Sequence, residues 1–291
     1  MTEAVLYCPL CKNESSQVFD KRLFRGLEVV NRVCQNCGLV FESPRMNEAE
    51  SAAFYAEEYR LLNEGSVDPT ARNITAQQAR AGSLLAFTQP LVARVSRHLD
   101  IGCSMGILLQ RFAANYHCQP AGIEPGDAHR ARAIQSGLSV YASLEELQKA
   151  QTGRFDLISL AHVLEHLPDP VGYLTRLRDA LLDPQGWVLI EVPNLYAHDS
   201  FEVAHLVSFS AHTLSQTLEM AGFEVVKLEQ HGRPRSAVLP LYITLLARPN
   251  ASLSRSKQVK PERLVSLKRR VGMARRKILE KLLPGRAWLK E

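Results

Sequence analysis

The sequence lacks a long hydrophobic run. Its longest nearly apolar stretch, residues 237–247, is 11 residues long and contains Pro240 and Thr244, whereas a membrane-spanning helix needs about 20 apolar residues. The first residues also lack the basic and then apolar order of a signal peptide. We therefore predict a cytoplasmic protein without a membrane-spanning helix.

Excess positive charge is missing from most of the chain. The net charge is +5, but residues 251–291 hold 13 basic and 3 acidic residues, which leaves 22 basic and 27 acidic residues in 1–250. A cationic surface for nucleic acid is therefore not expected on the main body. The hydrophobic content of 46% and the charged content of 22% predict a folded protein rather than a disordered chain.

Cysteine is scarce, yet four of the six cysteines form two Cys-x-x-Cys pairs. Without a secretion signal this pattern favours metal binding over disulfides, and four thiolates suit the tetrahedral coordination of structural zinc. Strand-like residues 18–19 and 27–33 predict a zinc ribbon over residues 1–45, with two pairs of buried or redox-active thiols as the alternative. The predicted zinc ligands are Cys8, Cys11, Cys34 and Cys37.

A helical pattern follows over residues 46–97 and begins near Asn47. We expect a helical connector, or lid, in front of the main domain. Its Tyr55 and Tyr59 are interpreted as packing residues, with substrate contact as the alternative.

Strand-like and helical runs then alternate over residues 98–250, which is typical of a parallel sheet with helices on both faces. We predict an α/β fold with a doubly wound, seven-stranded, Rossmann-like sheet, whose ligands bind beyond the carboxyl ends of the strands. The predicted strands are residues 98–101, 120–124, 138–141, 155–160, 187–192, 223–228 and 238–247. The predicted helices are residues 107–116, 128–136, 144–150, 171–182 and 213–221.

The first predicted strand ends in a turn between Gly102 and Gly106, directly before a helix. Glycines let the backbone bend sharply and approach a ligand, with the helix N-terminus behind it. Glu124 ends the next strand, where a carboxylate can bind ribose hydroxyls. Ser104 breaks the dinucleotide pattern Gly-x-Gly-x-x-Gly, and Asp100 before the first glycine suits a ligand with an amino group and a sulfonium.

Four short motifs occur in order along this domain, at residues 99–106, 155–170, 191–194 and 205–210. They resemble motif I, the fourth-strand motif, the end of the fifth strand and the following segment of class I S-adenosylmethionine-dependent methyltransferases. The paired cysteines together with residues 55–59 resemble a bacterial subgroup that is common among sugar and polysaccharide methyltransferases.

The resemblance implies S-adenosylmethionine as cofactor. In the family pattern, Gly102 and Gly106 frame the cofactor, with Ser104 in place of the middle glycine. Asp100 orients its amino-acid end and Glu124 holds its ribose. The adenine is expected to lie against Ser143, Ala161 and His162.

A histidine is the expected general base, because its ordinary pKa matches proton transfer near neutral pH. His205 is the first candidate, since residues 202–206 resemble a Tyr/Glu/His cluster of sugar C-methyltransferases, although the tyrosine has no obvious counterpart here. His166 is the second. The other histidines predicted near this edge of the sheet are His162, His198 and His212.

These observations predict a methyltransferase for a sugar nucleotide, a glycan or a lipid-linked glycan precursor, in polysaccharide biosynthesis. The alternatives are an RNA or protein methyltransferase that holds a polymer with the ribbon and the tail, and a non-catalytic scaffold that binds the cofactor. The acidic body and the absence of an Asn/Asp-Pro-Pro motif after the fourth predicted strand disfavour a nucleic-acid substrate.

Residues 251–291 are predicted to form a basic amphipathic tail, which makes the organisation 1–45, 46–97, 98–250 and 251–291. Such a helix suits an anionic membrane surface, so we predict contact through residues 261–290 and a peripheral position at the inner face of the membrane. Docking of the helix on the core is the equal alternative. The apolar stripe of this helix is Leu264, Leu267, Val271, Ala274, Ile278 and Leu282.

Overall fold

The computed structural model describes residues 3–47, 50, 54, 70–150, 153–250 and 258–289. Tyr55 and Tyr59 of the expected lid lie outside the described residues. Within these ranges, no helix combines the length and the apolar character needed to span a bilayer.

Strands and helices alternate along the described part of the main domain. The strands are β1 (Ser16–Phe24), β2 (Leu27–Cys34), β3 (Val40–Glu42), β4 (Arg97–Ile101), β5 (Gln119–Ile123), β6 (Ser139–Tyr141), β7 (Phe155–Ala161), β8 (Leu182–Pro193), β9 (Val207–Ser208), β10 (Phe223–His231) and β11 (Tyr242–Pro249). The helices are α1 (Ala71–Thr88), α2 (Ile107–Tyr116), α3 (Asp127–Gln135), α4 (Leu144–Ala150), α5 (Pro170–Ala180), α6 (Ala211–Met220), α7 (Val265–Leu282) and α8 (Pro284–Ala287).

The larger sheet has the strand order β10-β11-β8-β7-β4-β5-β6. Strands β8, β7, β4, β5 and β6 are parallel to one another, and β11 is antiparallel to both β8 and β10. This sheet confirms the predicted α/β fold and contains all seven predicted strands. The last strand begins at Tyr242 rather than at residue 238, because Pro240 has no N–H to donate to the sheet.

The two cysteine pairs flank the antiparallel strands β1 and β2, and β2 pairs with β3. A fourth strand joins this small sheet from the main domain, since β3 pairs with β9 through Val40 and Ser208 and through Phe41 and Val207. Phe41 is 2% exposed and packs in the same apolar cluster as the large sheet. The N-terminal module therefore shares both a sheet and a core with the main domain.

Helix α1 lies against α2 on one face of the large sheet, where Leu84 and Phe112 belong to one apolar cluster. Thr70 caps its start by accepting a hydrogen bond from the Asn73 amide at 3.2 Å. Because the helix is fixed at its N-terminus and along its apolar face, it can hold polar side chains over the carboxyl ends of the strands.

Candidate functional site

The turn after β4 lies at the carboxyl edge of the large sheet, where ligands bind in this class of fold. Gly102, Ser104 and Gly106 all have positive φ angles, of 71°, 51° and 76°. A side chain at Gly102 would place its Cβ 2.6 Å from Val163 Cγ2, and one at Gly106 would overlap Leu138. Glycine is thus required at both positions on grounds of backbone conformation and of space.

Ser104 occupies the middle position of this turn and contacts two neighbouring helices. Its hydroxyl accepts a hydrogen bond from Gln77 Nε2 at 3.1 Å and lies 2.7 Å from His129 Nδ1. A left-handed conformation costs a non-glycine residue about 1–2 kcal/mol, and the two side-chain hydrogen bonds offset this cost. The serine that replaces the middle glycine of the family pattern therefore links the turn to α1 and α3 by hydrogen bonds.

Glu124 braces the same turn from the end of β5. Its Oε2 accepts the Ser104 amide at 2.9 Å, its Oε1 accepts the Gly126 amide at 2.8 Å, and the residue is 4% exposed. Each carboxylate oxygen can accept a further hydrogen bond. The carboxylate thus holds the turn at the end of β5, which is the position where a carboxylate binds ribose hydroxyls in this class of fold.

Asp100 is 3% exposed and accepts a hydrogen bond from the Ser159 hydroxyl at 2.6 Å. Ser159 Oγ in turn lies 2.8 Å from His98 Nε2. Burial raises the pKa of Asp100 to about 7, with a further contribution from Glu124 and an opposing one from Ser159. Burial also lowers the pKa of His98 to about 3, so this imidazole is neutral and supplies no charge to Asp100. The carboxylate is therefore set up to gain from a cationic ligand group.

The residues predicted to line an adenine follow β6 and β7. Ser143 Oγ accepts the Glu146 amide at 3.3 Å and so caps the start of α4. Ala161 ends β7 opposite Glu191. His162 follows with a positive φ of 57°, which turns its ring towards the centre of the sheet edge.

A buried carboxylate, Glu191 at the end of β8, forms the centre of a polar cluster. Arg80 Nε of α1 lies 3.0 Å from Oε1, and His162 Nε2 lies 3.3 Å from the same atom. On the other side, the Thr244 hydroxyl donates to Oε2 at 2.9 Å, and His231 Nε2 lies 2.6 Å from Thr244 Oγ1. Four separate elements thus bring polar groups to one carboxylate.

The charged groups of this cluster shift one another's pKa values. Burial raises the pKa of Glu191, but His162 and Arg80 outweigh it, so the net shift is downward. Burial and Arg80 lower the pKa of His162, but Glu165 and Glu191 outweigh them, so its net shift is upward. In the sequence, Glu191 is marked only as part of a motif and Arg80 is not marked at all, because no local pattern identifies residues that meet across elements.

His166 and His205 meet in a second cluster, with ring centroids 4.8 Å apart. His166 Nδ1 lies 2.8 Å from the Ala204 carbonyl, and His205 Nδ1 lies 2.7 Å from the Ser200 carbonyl. A carbonyl can only accept, so both rings carry their proton on Nδ1 when neutral and keep a lone pair on Nε2. This is the tautomer that a proton acceptor needs.

The surroundings keep these rings neutral near pH 7. Burial lowers the pKa of His166 to about 4 and also lowers the pKa of His205. His205 Nε2 lies 3.1 Å from Glu202 Oε1, and burial raises the pKa of that carboxyl group. Ligand atoms of Glu165, His166 and His205 lie within 4.8 Å of one another, which is also close enough for a shared cation.

The two remaining candidate histidines have different environments. His198 packs against the ring of Tyr242, with centroids 5.8 Å apart, and burial lowers its pKa to about 3. The phenol oxygen of Tyr242 is buried and has no hydrogen-bond partner among the described residues. His212 lies on α6, where its Nε2 is 2.8 Å from the Lys260 carbonyl, so it contacts the tail and not the paired histidines.

The four paired cysteines come together as predicted. The sulfur atoms of Cys8 and Cys37 are 3.6 Å apart and those of Cys11 and Cys34 are 3.5 Å apart, and all four lie within 4.8 Å of one another. Four sulfurs bound to zinc at ~2.3 Å have edges of about 3.8 Å, so the arrangement fits a tetrahedral site. Four thiolates leave no open position, so such a metal would be structural.

If this group holds zinc, removal of the metal is expected to destabilise the whole described body and not only the N-terminal module. The reason is that Cys8, Cys34 and Cys37 belong to the apolar cluster of the large sheet. In the presence of a strong chelator, and for Cys34→Ser, thermal unfolding should shift to lower temperature in one transition, monitored by circular dichroism and by tryptophan fluorescence. Cys118→Ser, a buried cysteine outside the group, is the control for loss of a buried thiol. An unchanged transition after verified removal of zinc would contradict this expectation.

Known proteins resemble this chain in part. A ubiquinone biosynthesis O-methyltransferase from Bordetella bronchiseptica is 34% identical over 105 residues, which are 34% of this chain and 43% of that relative. The chain therefore spans less than half the length of this curated relative.

The fold has counterparts among solved structures. A 1,6-didemethyltoxoflavin-N1-methyltransferase from Burkholderia thailandensis, solved with bound 1,6-didemethyltoxoflavin and S-adenosylhomocysteine, has a TM-score of 0.54 and 20% identity over 74% of this chain and 97% of that one. The CcbJ methyltransferase from Streptomyces caelestis has a TM-score of 0.50 and 14% identity over 68% of this chain and 98% of that one.

A family comparison covers more of the domain. Residues 74–228, more than half of the chain, match the family described as "Methyltransferase domain". This range contains the turn after β4, Glu124, Glu191 and the paired histidines. The chain therefore belongs to the methyltransferase-domain family.

Proposed function

We propose that this protein is an S-adenosylmethionine-dependent methyltransferase that acts on a hydroxyl group of a small-molecule acceptor. The observation that carries the proposal is the position of two sites on one sheet edge. One is the glycine turn with the buried carboxyl groups of Asp100 and Glu124, and the other is the pair of neutral imidazoles of His166 and His205.

The residues at the turn fit this cofactor. The pKa of Asp100, near 7 because of burial, would fall beside the cationic amino-acid end of the cofactor. Glu124 lies at the end of β5, where a carboxylate can bind ribose hydroxyls, and the backbone at Gly102 and Gly106 allows close approach. Ser143 lies just after β6, Ala161 ends β7 and His162 follows it, and these three residues are proposed to line the adenine. When bound, S-adenosylmethionine supplies a methyl group activated by its sulfonium.

The protein's own contribution is alignment and proton removal. In-line displacement depends on the geometry of the reacting atoms and on exclusion of water. A buried, neutral His205 can take the proton of an acceptor hydroxyl on Nε2 when that hydroxyl displaces Glu202, whose Oε1 lies 3.1 Å from this nitrogen. His166 is the second candidate, since its ring has the same tautomer and lies against that of His205.

Two lines of support concern the acceptor, and they differ on the molecule that carries the methylated atom. The resemblance of the N-terminal module and residues 55–59 to sugar methyltransferases favours a sugar nucleotide, a glycan or a lipid-linked glycan precursor. The relatives named for ubiquinone biosynthesis are O-methyltransferases, which favours a hydroxyl on a different small molecule. Membrane contact through residues 261–290 is a separate proposal that concerns another part of the molecule.

Transfer of a labelled methyl group into a fractionated cell extract tests the acceptor class. We expect label from S-adenosylmethionine in the small-molecule or lipid fraction, and mild acid hydrolysis then separates glycan from non-glycan products. Label that accumulates mainly in RNA or protein would overturn the proposal. Tight cofactor binding with no label in any fraction would support a non-catalytic scaffold instead.

Cofactor affinity is expected to depend on Asp100 and Glu124. Asp100→Asn and Glu124→Gln should each weaken S-adenosylmethionine binding about tenfold or more, because each removes a charged hydrogen-bonding partner. Affinity of the unchanged protein should fall as the pH is lowered from about 8 to 6, since the free Asp100 becomes protonated near pH 7, and Asp100→Asn should remove this fall.

Isothermal titration calorimetry measures both effects. Glu28→Gln, which changes an exposed acidic residue of β2 away from this sheet edge, is the matched control and should leave affinity unchanged. Full affinity of Asp100→Asn and Glu124→Gln would show that the cofactor site is elsewhere.

The general-base role predicts a specific pH profile. His205→Gln should lower kcat by about 10²–10⁴-fold with little change in cofactor affinity. Because burial lowers the pKa of His205, activity should be retained at neutral pH and lost only as the pH falls below the ordinary range of histidine. Steady-state kinetics across pH, with His212→Gln as the control, measure this profile. If His166→Gln has the larger effect on kcat, His166 is the base, and if neither variant changes kcat, the base assignment is wrong.

A further inference from the structure

Helix α7 presents its apolar stripe to solvent. Five of its six members are strongly exposed, and Leu264, Leu267, Val271, Ile278 and Leu282 have exposures of 69%, 53%, 60%, 56% and 68%. The opposite face is turned to the protein, where Val265 and Arg269 are 5% and 8% exposed. The helix is therefore docked, but by a face other than the one that its apolar pattern indicates.

The docked face holds the segment that follows β8. Arg269 donates to the carbonyls of Leu195 and His198, the latter at 2.5 Å, and Arg276 donates to the Ala197 carbonyl at 3.1 Å. Gly272 packs against the Tyr196 carbonyl so closely that a Cβ would overlap it. These polar contacts fix the rotation of the helix, which leaves the apolar stripe without a partner among the described residues.

Basic side chains flank the exposed stripe on both sides. With 3.6 residues per turn, Lys268 and Arg275 lie along one edge of the stripe, and Arg270, Lys277 and Lys281 lie along the other. The two acidic side chains of the described segment are each paired with a basic one, because Glu262 Oε1 lies 2.9 Å from Lys268 Nζ and Glu280 Oε1 lies 2.9 Å from Arg276 Nε. Residues 258–289 hold 10 basic and 2 acidic residues in all, so the surface attracts anions.

We propose that this outward face of α7 lies on an anionic lipid bilayer. An apolar stripe between two rows of cations matches the interfacial region, where the stripe enters the acyl boundary and the cations meet lipid phosphates. A second copy of the chain would place the same cationic rows against each other, which is unfavourable. Nucleic acid would neutralise the cations and leave the apolar side chains in water.

Bilayer contact would place the acceptor side of the protein at the membrane surface. The carbonyls held by Arg269 and Arg276 belong to residues 195–198, directly before the loop that carries His205. An amphiphilic acceptor could then reach the paired histidines from the interface. The bilayer proposal depends on the surface of α7 alone and not on the methyl-transfer proposal.

Vesicle sedimentation of the full-length protein tests the bilayer proposal. We expect binding to phosphatidylcholine vesicles with about 30 mol% phosphatidylglycerol, weak binding without the anionic lipid, and loss of binding at high salt. The combined variant Leu267→Gln, Val271→Gln, Ile278→Gln should lower the partition coefficient about 30-fold or more, because three apolar side chains no longer leave water. Val18→Gln with Leu23→Gln, which changes two equally exposed apolar residues of β1, should bind as the unchanged protein does.

The controls separate the outcomes. Thermal unfolding of the stripe variant should match that of the unchanged protein, because the altered side chains are exposed. Equal vesicle binding by the stripe variant, or no binding by the unchanged protein, overturns the proposal. Sedimentation equilibrium that shows a dimer dissociated by the stripe substitutions, without vesicle binding, would assign the surface to a second copy, and binding of single-stranded RNA in place of vesicles would assign it to nucleic acid.

Discussion

A buried carboxylate in the middle of the sheet edge constrains much of the structure around it. Glu191 is 1% exposed, and an unpaired charge at such a position would cost several kcal/mol. The compensating groups come from four places in the fold. Arg80 lies on α1, His162 directly follows β7, Thr244 lies on β11, and His231 at the end of β10 acts through Thr244. Each of these elements must therefore keep its position relative to β8 for the charge to remain compensated.

The same arrangement joins the two halves of the proposed site. His162 contacts Glu191 on one side and lies 3.3 Å from Glu165 on the other, and Glu165 is grouped with the paired histidines. The segment from residue 194 to 209 completes the acceptor side. It is held by the N-terminal module through the pairing of β9 with β3 and by the tail through Arg269. The N-terminal module and the C-terminal tail, which lie far apart in the sequence, thus both hold the segment from residue 194 to 209.

Local patterns were sufficient to predict the elements and the sites made from neighbouring residues. All seven strands, the turn between Gly102 and Gly106 and the four-cysteine group follow from spacing, because each depends on residues close in the chain. The partnership of Arg80 with Glu191 depends on tertiary packing, which leaves no local signal. The apolar stripe of α7 was recognised correctly, but its direction was not predictable, because Arg269 and Arg276 find carbonyl acceptors only in the folded protein.

The most direct test of this account is a double-mutant cycle between Arg80→Met and Glu191→Gln, measured as free energy of unfolding in urea. We expect Arg80→Met to be clearly destabilising when Glu191 is present and much less so beside Glu191→Gln, with an interaction energy of at least about 1 kcal/mol. Strictly additive effects of the two substitutions would contradict it, since they would show that the buried carboxylate does not depend on the charge that α1 holds above it.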